Sequence, residues 1–248
     1  MRIRLKLKSQ KEQLIDYNYN AELNSVIKEI VRDADPNLAE ELFGKGIIIG
    51  ENPVKPYTFS RLLFNNYRAT RKGLIVNGEG EWLISTPVEE LGETLINGMI
   101  GRYQIQVGDN TFRVERHQMI KDPEMSHEMA CFMLGPVVAS VFHKDGREVF
   151  CHPLQSEFYD FLRRDLIFKA KEIYGEEYKP TDIHFNIINP EKFELERAAN
   201  LIHYQGKNIK GYLFKFKIIA PEKILKLAFS WGLGSFNDLG FGMVDFLR

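Results

Sequence analysis

Two G-x-G pairs, Gly232-Leu233-Gly234 and Gly240-Phe241-Gly242, fall within eleven residues of one another, after an apolar helical stretch (Ile224, Leu225, Leu227, Ala228, Phe229) and before a strand-like Met243-Val244-Asp245-Phe246. Glycine removes Cβ, permits positive φ and lets main-chain N–H groups turn outward. The loop is therefore expected to pass close to something bulky, with a phosphodiester as its natural guest. It lacks the Gly-Lys-Ser/Thr of a P-loop, and it does not open a helix after a strand as a dinucleotide fingerprint does.

Ahead of that loop the hydrophobic period switches repeatedly between 2 and 3.6. Arg2-Ile3-Arg4-Leu5-Lys6-Leu7-Lys8 alternates strictly, which predicts a strand with one apolar and one basic face. The basic face suits either phosphates or plain solvent. A helix is expected over 21–32, capped by Asn18 or Asn20, and a second is started by Asp35-Pro36 and stopped after Leu42 by Gly44 and Gly46. An irregular connection at 47–57 leads to strands at 58–64, 74–76 and 81–85, a helix after Pro87, and a hairpin over 103–116 turning at Asp109-Asn110. The second half predicts strands within 129–143 (broken at Gly135-Pro136) and at 148–150, a helix over 157–174, strands at 182–188, 193–196 and 212–218, and a helix from Pro221.

Each half thus approximates β-α-β-β-α-β, the split βαβ order of a ferredoxin-like sheet. The fold expected is α+β: two tandem ferredoxin-like (RRM-like) βαββαβ domains, 1–118 and 119–248, the second carrying the glycine-rich loop 232–242. The expectation rests on the order of elements, since no residue-level repeat is detectable.

Thirty-three Lys and Arg against 34 Asp and Glu give a net charge of −1, so any nucleic-acid binding must gather cations locally. No apolar leader or membrane-length run is evident, and Cys131 and Cys151 are read as reduced core residues of a cytoplasmic protein. The six histidines, His117, His127, His143, His152, His184 and His203, form no pair at metal-ligand spacing. No metal or other cofactor is expected. His117 alone adjoins a basic cluster. Tyr67-Arg68-Ala69-Thr70-Arg71-Lys72 is a basic run expected in a loop, and Lys207, Lys210, Lys215 and Lys217 are expected on or near one hairpin. Adjacent carboxylates such as Glu40-Glu41 and Glu89-Glu90 point in different directions on a helix and suggest neither a glycosidase nor a metal nuclease.

Several stretches together carry a resemblance spanning almost the whole chain. They are the basic first strand, Tyr17-Asn18-Tyr19, Asp35-Pro36-Asn37-Leu38-Ala39, Lys55-Pro56-Tyr57-Thr58-Phe59-Ser60, Gly135-Pro136-Val137 and Leu239-Gly240-Phe241-Gly242-Met243-Val244. The chain resembles the RAMP superfamily of CRISPR systems, and within it the endoribonucleases that cut precursor crRNA inside its repeats. The resemblance implies metal-free attack by a ribose 2′-hydroxyl, leaving a 2′,3′-cyclic phosphate. That chemistry needs a base, an acid and a cation for the phosphorane. Many members supply a tyrosine on helix one, a histidine at the end of helix two and a lysine before the next strand. Lys55 matches the lysine, whereas Lys28 stands at the tyrosine position and Phe43 where the histidine would follow Leu42.

Two functions stay open at this point. Either Lys28 and Lys55 support cation-assisted cleavage, with Lys28 neutralised in part by Lys55 or by burial, or the chain binds repeat RNA without cutting and holds or delivers it to an effector complex. The expected RNA contacts are Gly232, Gly234, Ser235, Phe236, Gly240 and Gly242 of the loop, with Arg68, Arg71, Lys72, Lys207, Lys210, Lys215 and Lys217. Phe236 suits either stacking on a base or plugging the loop from beneath. Asp238, repulsive to phosphate, is expected to point away or cap a turn. The partners implied are repeat RNA or crRNA and a CRISPR effector complex, with no membrane, for a monomer or homodimer.

Overall fold

The computed structural model describes residues 1–142, 145–204 and 206–247. His143, at the expected end of a strand, lies outside them. The first half runs β1 (Arg2–Ile15), α1 (Asn20–Ala34), α2 (Pro36–Phe43), β2 (Ile47–Ile49), β3 (Asn52–Val54), β4 (Thr58–Phe59), β5 (Leu63–Thr70), β6 (Gly73–Ser85), α3 (Glu89–Met99), β7 (Gln104–Val107) and β8 (Asn110–Ile120). Its sheet is ordered β4-β6-β1-β8-β7, with β5 also on β6, and every pairing is antiparallel. The expected alternation of β1 explains the layering. Ile3, Leu5 and Leu7 pack with Leu23, Val26, Ile27 and Ile30 of α1 and Leu91, Leu95 and Met99 of α3. Each such side chain contributes about 1.5–3 kcal/mol on burial.

The second half runs β9 (Glu128–Met133), β10 (Ala139–Phe142), β11 (Glu148–Cys151), α4 (Ser156–Tyr174), β12 (His184–Ile187), α5 (Leu195–Ala198), β13 (Ala199–Tyr204), β14 (Lys207–Tyr212), β15 (Lys215–Ile219), α6 (Glu222–Ser230) and β16 (Val244–Phe246). Its main sheet, β12-β15-β9-β16, repeats the order β5-β6-β1-β8 of the first. The protein is therefore two ferredoxin-like folds in tandem, with β10-β11 and β13-β14 as added hairpins. Cys131 and Cys151 are free and buried. Among the described residues no helix is long and apolar enough to cross a membrane.

Several elements differ from the sequence expectation. The 47–57 connection contains the β2-β3 hairpin, because Glu172 of α4 accepts from the backbone N–H groups of Glu51 and Asn52 and from the Asn52 side chain. Strands 74–76 and 81–85 are one strand, β6, since β1 and β5 supply partners across its polar middle. The 193–196 segment ends in the short helix α5, and the hairpin that carries Lys207 and Lys210 pairs β14 with β13, a strand at 199–204 that was not expected. Neither asparagine caps α1. Asn18 accepts from the His203 backbone and Asn20 donates to Leu239, so tertiary partners outcompete the local cap. Asp35 does cap α2, accepting from the Asn37 and Leu38 N–H groups.

Candidate functional site

One face of α1 organises the centre of the molecule, because Asn20, Asn24 and Lys28 recur at every fourth residue. The Asn20 side-chain amide donates to the Leu239 carbonyl at 2.7 Å, and the Asn24 amide oxygen accepts from the Tyr57 hydroxyl at 2.7 Å. The Lys28 ammonium stands 6.0 Å from the Phe43 ring centroid, and that ring lies 6.0 Å from the ring of Tyr57. Phe43 therefore packs at the rim of the site as a hydrocarbon wall. Lys28 itself is exposed, so the expected burial of its ammonium is absent.

Opposite α1, the glycine-rich loop delivers Asp238 to Lys55. Their Oδ2 and Nζ atoms are 4.0 Å apart, and the side chains are 25% and 33% exposed respectively. Asp238 thus faces the candidate site, which removes the first of the two expected placements, pointing away or capping a turn. Burial raises its pKa against the pull of Lys55. Tyr57 is fully buried, and burial, reinforced by Asp238 and Tyr204, pushes its phenol well above the ordinary value despite the bond to Asn24. It is a structural donor and does not ionise near neutrality.

The glycines of the loop serve packing. Leu233 N–H donates to the Gly242 carbonyl, Gly242 N–H to Pro136, Ser235 N–H to Val138 and Gly234 N–H to the Asp165 carboxylate. A Cβ on Gly240 would lie 2.3 Å from the Phe59 ring, and one on Gly242 would lie 1.9 Å from the Leu233 carbonyl oxygen. The bulky neighbour expected of the loop is thus the protein itself. Gly232, Gly234, Gly240 and Gly242 are all buried, and the N–H groups of the last three are turned inward. From below, Lys169 of α4 donates to the Gly232 carbonyl, to Asn237 and to Asp165 at 2.8–2.9 Å, while Asn237 donates to the carbonyls of Leu233 and Phe241.

Ser235 and Phe236, like Asp238 and Leu239, are half-buried and remain partly accessible. Phe236, at φ 62°, has its ring 4.8 Å from the Lys207 ammonium, which also pairs with Glu148. Lys207 and Lys210 lie on β14, whereas Lys215 and Lys217 lie on β15 in the main sheet, so the four do not share a hairpin. Lys217 pairs with Glu128 at 2.6 Å. Arg68 is on β5, with Arg71 and Lys72 at the exposed turn to β6, so the basic run is a hairpin tip and not an open loop. Between that hairpin and β13 opens a cavity of about 400 Å³ lined in part by Tyr17, Tyr19, Arg61, Tyr67, Asn200 and Leu201.

The solvent face of the first sheet sets Lys6 opposite Arg116 and Lys8 opposite Arg113, with Arg4 held by Glu81 at 3.2 Å. His117 pairs with Leu5, which turns it toward the opposite face from that basic surface. Sequence reasoning missed Asn24, Tyr57 and Asp238 as site residues. The four-residue spacing of Asn20, Asn24 and Lys28 was the available signal for the first of them.

Two family descriptions account for nearly all of the chain: CRISPR-associated protein Cas6, N-terminal, over residues 14–118, and CRISPR associated protein Cas6, C-terminal, over residues 120–246. The chain belongs to the Cas6 family. It is 26% identical to the CRISPR-associated endoribonuclease Cas6 of Pyrococcus furiosus, an alignment covering 93% of this chain and 83% of that one. It is 27% identical, over the full length of both chains, to a putative CRISPR-associated endoribonuclease-like protein Cas6nc of Pyrococcus horikoshii. A solved structure described as a RAMP protein binding different RNA substrates superposes with a TM-score of 0.84 at 25% identity, covering 100% of both chains. Membership makes CRISPR RNA processing or binding the business of this chain.

Proposed function

We propose that the chain binds CRISPR repeat RNA and cleaves precursor crRNA within the repeat without a metal, the 2′-hydroxyl attacking the adjacent phosphate to leave a 2′,3′-cyclic phosphate. The observation that carries this reading is the pairing of Lys55 with Asp238 where the glycine-rich loop of the second half packs on Asn20 of α1, with Lys28 further along the same helix beside Phe43. In this reading Lys55 neutralises the phosphorane, since a cation held beside the phosphate stabilises the charge that develops in the transition state. Ser235, Phe236 and Lys207 offer a stacking and phosphate contact on the same loop and the adjoining β14, and base stacking on an aromatic ring contributes about 1–3 kcal/mol. Arg68, Arg71, Lys72, Lys210, Lys215 and Lys217 are proposed as outlying backbone contacts.

A second reading is favoured by Phe43, which replaces a proton-transfer group with a ring packed on Tyr57. In it the chain holds repeat RNA intact and delivers it to an effector complex. Both readings suit a cytoplasmic monomer or homodimer with domains 1–118 and 119–248. Incubation with the cognate repeat RNA in EDTA separates them. A single cut ending in a cyclic phosphate, lost in Lys55→Ala and weakened in Lys28→Ala, supports the nuclease. A tight complex with uncut RNA supports delivery, and no binding at low salt removes both.

A further inference from the structure

We infer that Asp238 is the proton acceptor of this chain, taking from the glycine-rich loop the part that Phe43 leaves vacant; the inference rests on the nuclease reading above. Three observations point the same way. Phe43 has no ionisable atom. The Asp238 carboxylate enters the site from the wall opposite α1, and at 4.0 Å from Lys55 it is paired through space without a hydrogen bond, so its lone pairs are not spent on that ammonium. Its loop is immobilised, with Asn20 gripping Leu239 on one side of Asp238 and Lys169 gripping Asn237 on the other.

A phosphate drawn to Lys55 brings its own ribose to the neighbouring carboxylate, and reacting atoms about 3–3.5 Å apart make an in-line attack feasible. The burial that raises the Asp238 pKa makes it a better base near neutrality than a solvated aspartate. In the step, the 2′-hydroxyl proton passes to Asp238 and the 2′-oxygen bonds to phosphorus. The bond from phosphorus to the 5′-oxygen breaks, and the departing oxygen takes a proton from solvent. The proton held by Asp238 then passes to solvent, replacing the one given to the 5′-oxygen and restoring the carboxylate. No oxidant, metal or co-reactant is needed.

The test compares the full-length protein with Asp238→Asn and Asp238→Ala in single-turnover cleavage of the cognate repeat RNA in EDTA. Binding is measured in parallel on the same RNA carrying a 2′-deoxy substitution at the cut. Removing a general base costs ~10²–10⁴-fold in rate. Asp238→Asn is therefore expected to lose at least about 100-fold in cleavage while binding RNA as tightly as the parent or tighter. Added formate is expected to restore part of the rate to Asp238→Ala, a readout that a misfolded variant does not give. An Asp238→Asn protein that cuts as fast as the parent, or faster because Lys55 is freed, overturns the role of Asp238 alone. A parent protein that leaves bound RNA uncut overturns the nuclease reading and this inference together.

Discussion

The guanidinium of Arg2 in the first strand lies 3.5 Å from the ring centroid of Phe229 in the last helix and donates from Nη2 to the carbonyl oxygens of Phe229 and Val244 at 2.6 and 2.7 Å. The side chain is 1% exposed, and its Nη1 faces Asp245 at 3.5 Å. One side chain thus joins β1 of the first half to α6 and β16 of the second. Burial lowers its pKa, to about 10, against the pull of Asp245 and Asp122, so it stays charged at neutral pH.

Arg2→Ala removes both charge-assisted bonds and leaves two carbonyls without that donor. A loss of about 3 kcal/mol is expected, from net values of ~1.5–3 kcal/mol for bonds to charged groups. Urea denaturation followed by tryptophan fluorescence reads it. A midpoint equal to that of the parent would show that the joint between the halves does not depend on Arg2.

Gly101 and Gly242 both have φ above +70°, at 76° and 72°, yet a Cβ meets nothing within 4 Å at Gly101 and lies 1.9 Å from Leu233 oxygen at Gly242. Gly101→Ala is expected to cost about 1–2 kcal/mol, the backbone penalty alone. Gly242→Ala must also part the two G-x-G pairs, so its melting temperature is expected to fall far further or the protein to fail to fold. Equal melting temperatures for the two variants would contradict the packing role of the loop.

Lys169 is 3% exposed, and burial lowers its pKa while raising that of its partner Asp165. Lys169→Met leaves the Asp165 carboxylate buried with its charge uncompensated, which costs ~3–5 kcal/mol. Adding Asp165→Asn removes the stranded charge and is expected to recover part of that loss, a coupling measurable in a double-mutant cycle. Strict additivity of the two single changes would show that the pair does not support the loop.

Glu172 of α4 holds the β2-β3 hairpin that precedes Lys55. Burial opposes its ionisation, but the Asn52 side chain, the Glu51 and Asn52 N–H groups and Lys171 outweigh it and hold its pKa below the ordinary value. A depressed carboxyl contributes stability above its unfolded pKa and loses it as pH falls through the folded value. Hydrogen exchange at the Glu51 and Asn52 amides is therefore expected to accelerate, after correction for intrinsic rates, as pH drops below about 4.3. In Glu172→Gln the same amides should exchange faster already at neutral pH. Protection unchanged by acid and by the substitution would mean that the hairpin is held by other contacts.

Much of this architecture was legible in the sequence, since the alternation in β1, the Asp35 cap, the spacing of α3, α4 and α6 and the break at Gly135-Pro136 are local signals. The pairing of β13 with β14 was not, because it is ordered by distant partners such as Val137, which exchanges backbone bonds with Tyr212. Nor was the merging of two short strands into β6.

The sequence by itself determined the order of elements, the tandem ferredoxin-like plan and the family, and it singled out Lys55, Lys28 and Phe43 as candidate site positions. Only the tertiary structure decided where the terminal loop spends its groups: glycine N–H donors on the protein's own carbonyls, Asn20 on Leu239, and Asp238 toward Lys55. The reason is the range of the forces concerned. Hydrophobic period and capping act over a few residues, whereas the partners of the loop are more than 180 residues away in sequence for Asn20, Lys55 and Thr58, and they are brought beside it only when the two halves pack. The G-x-G pairs are consequently fixed by Pro136, Val138, Asp165 and Lys169 within the second half and by Phe59 and Thr58 of the first, which leaves Asp238, Ser235 and Phe236 as the portion of the loop that faces RNA in the proposed function.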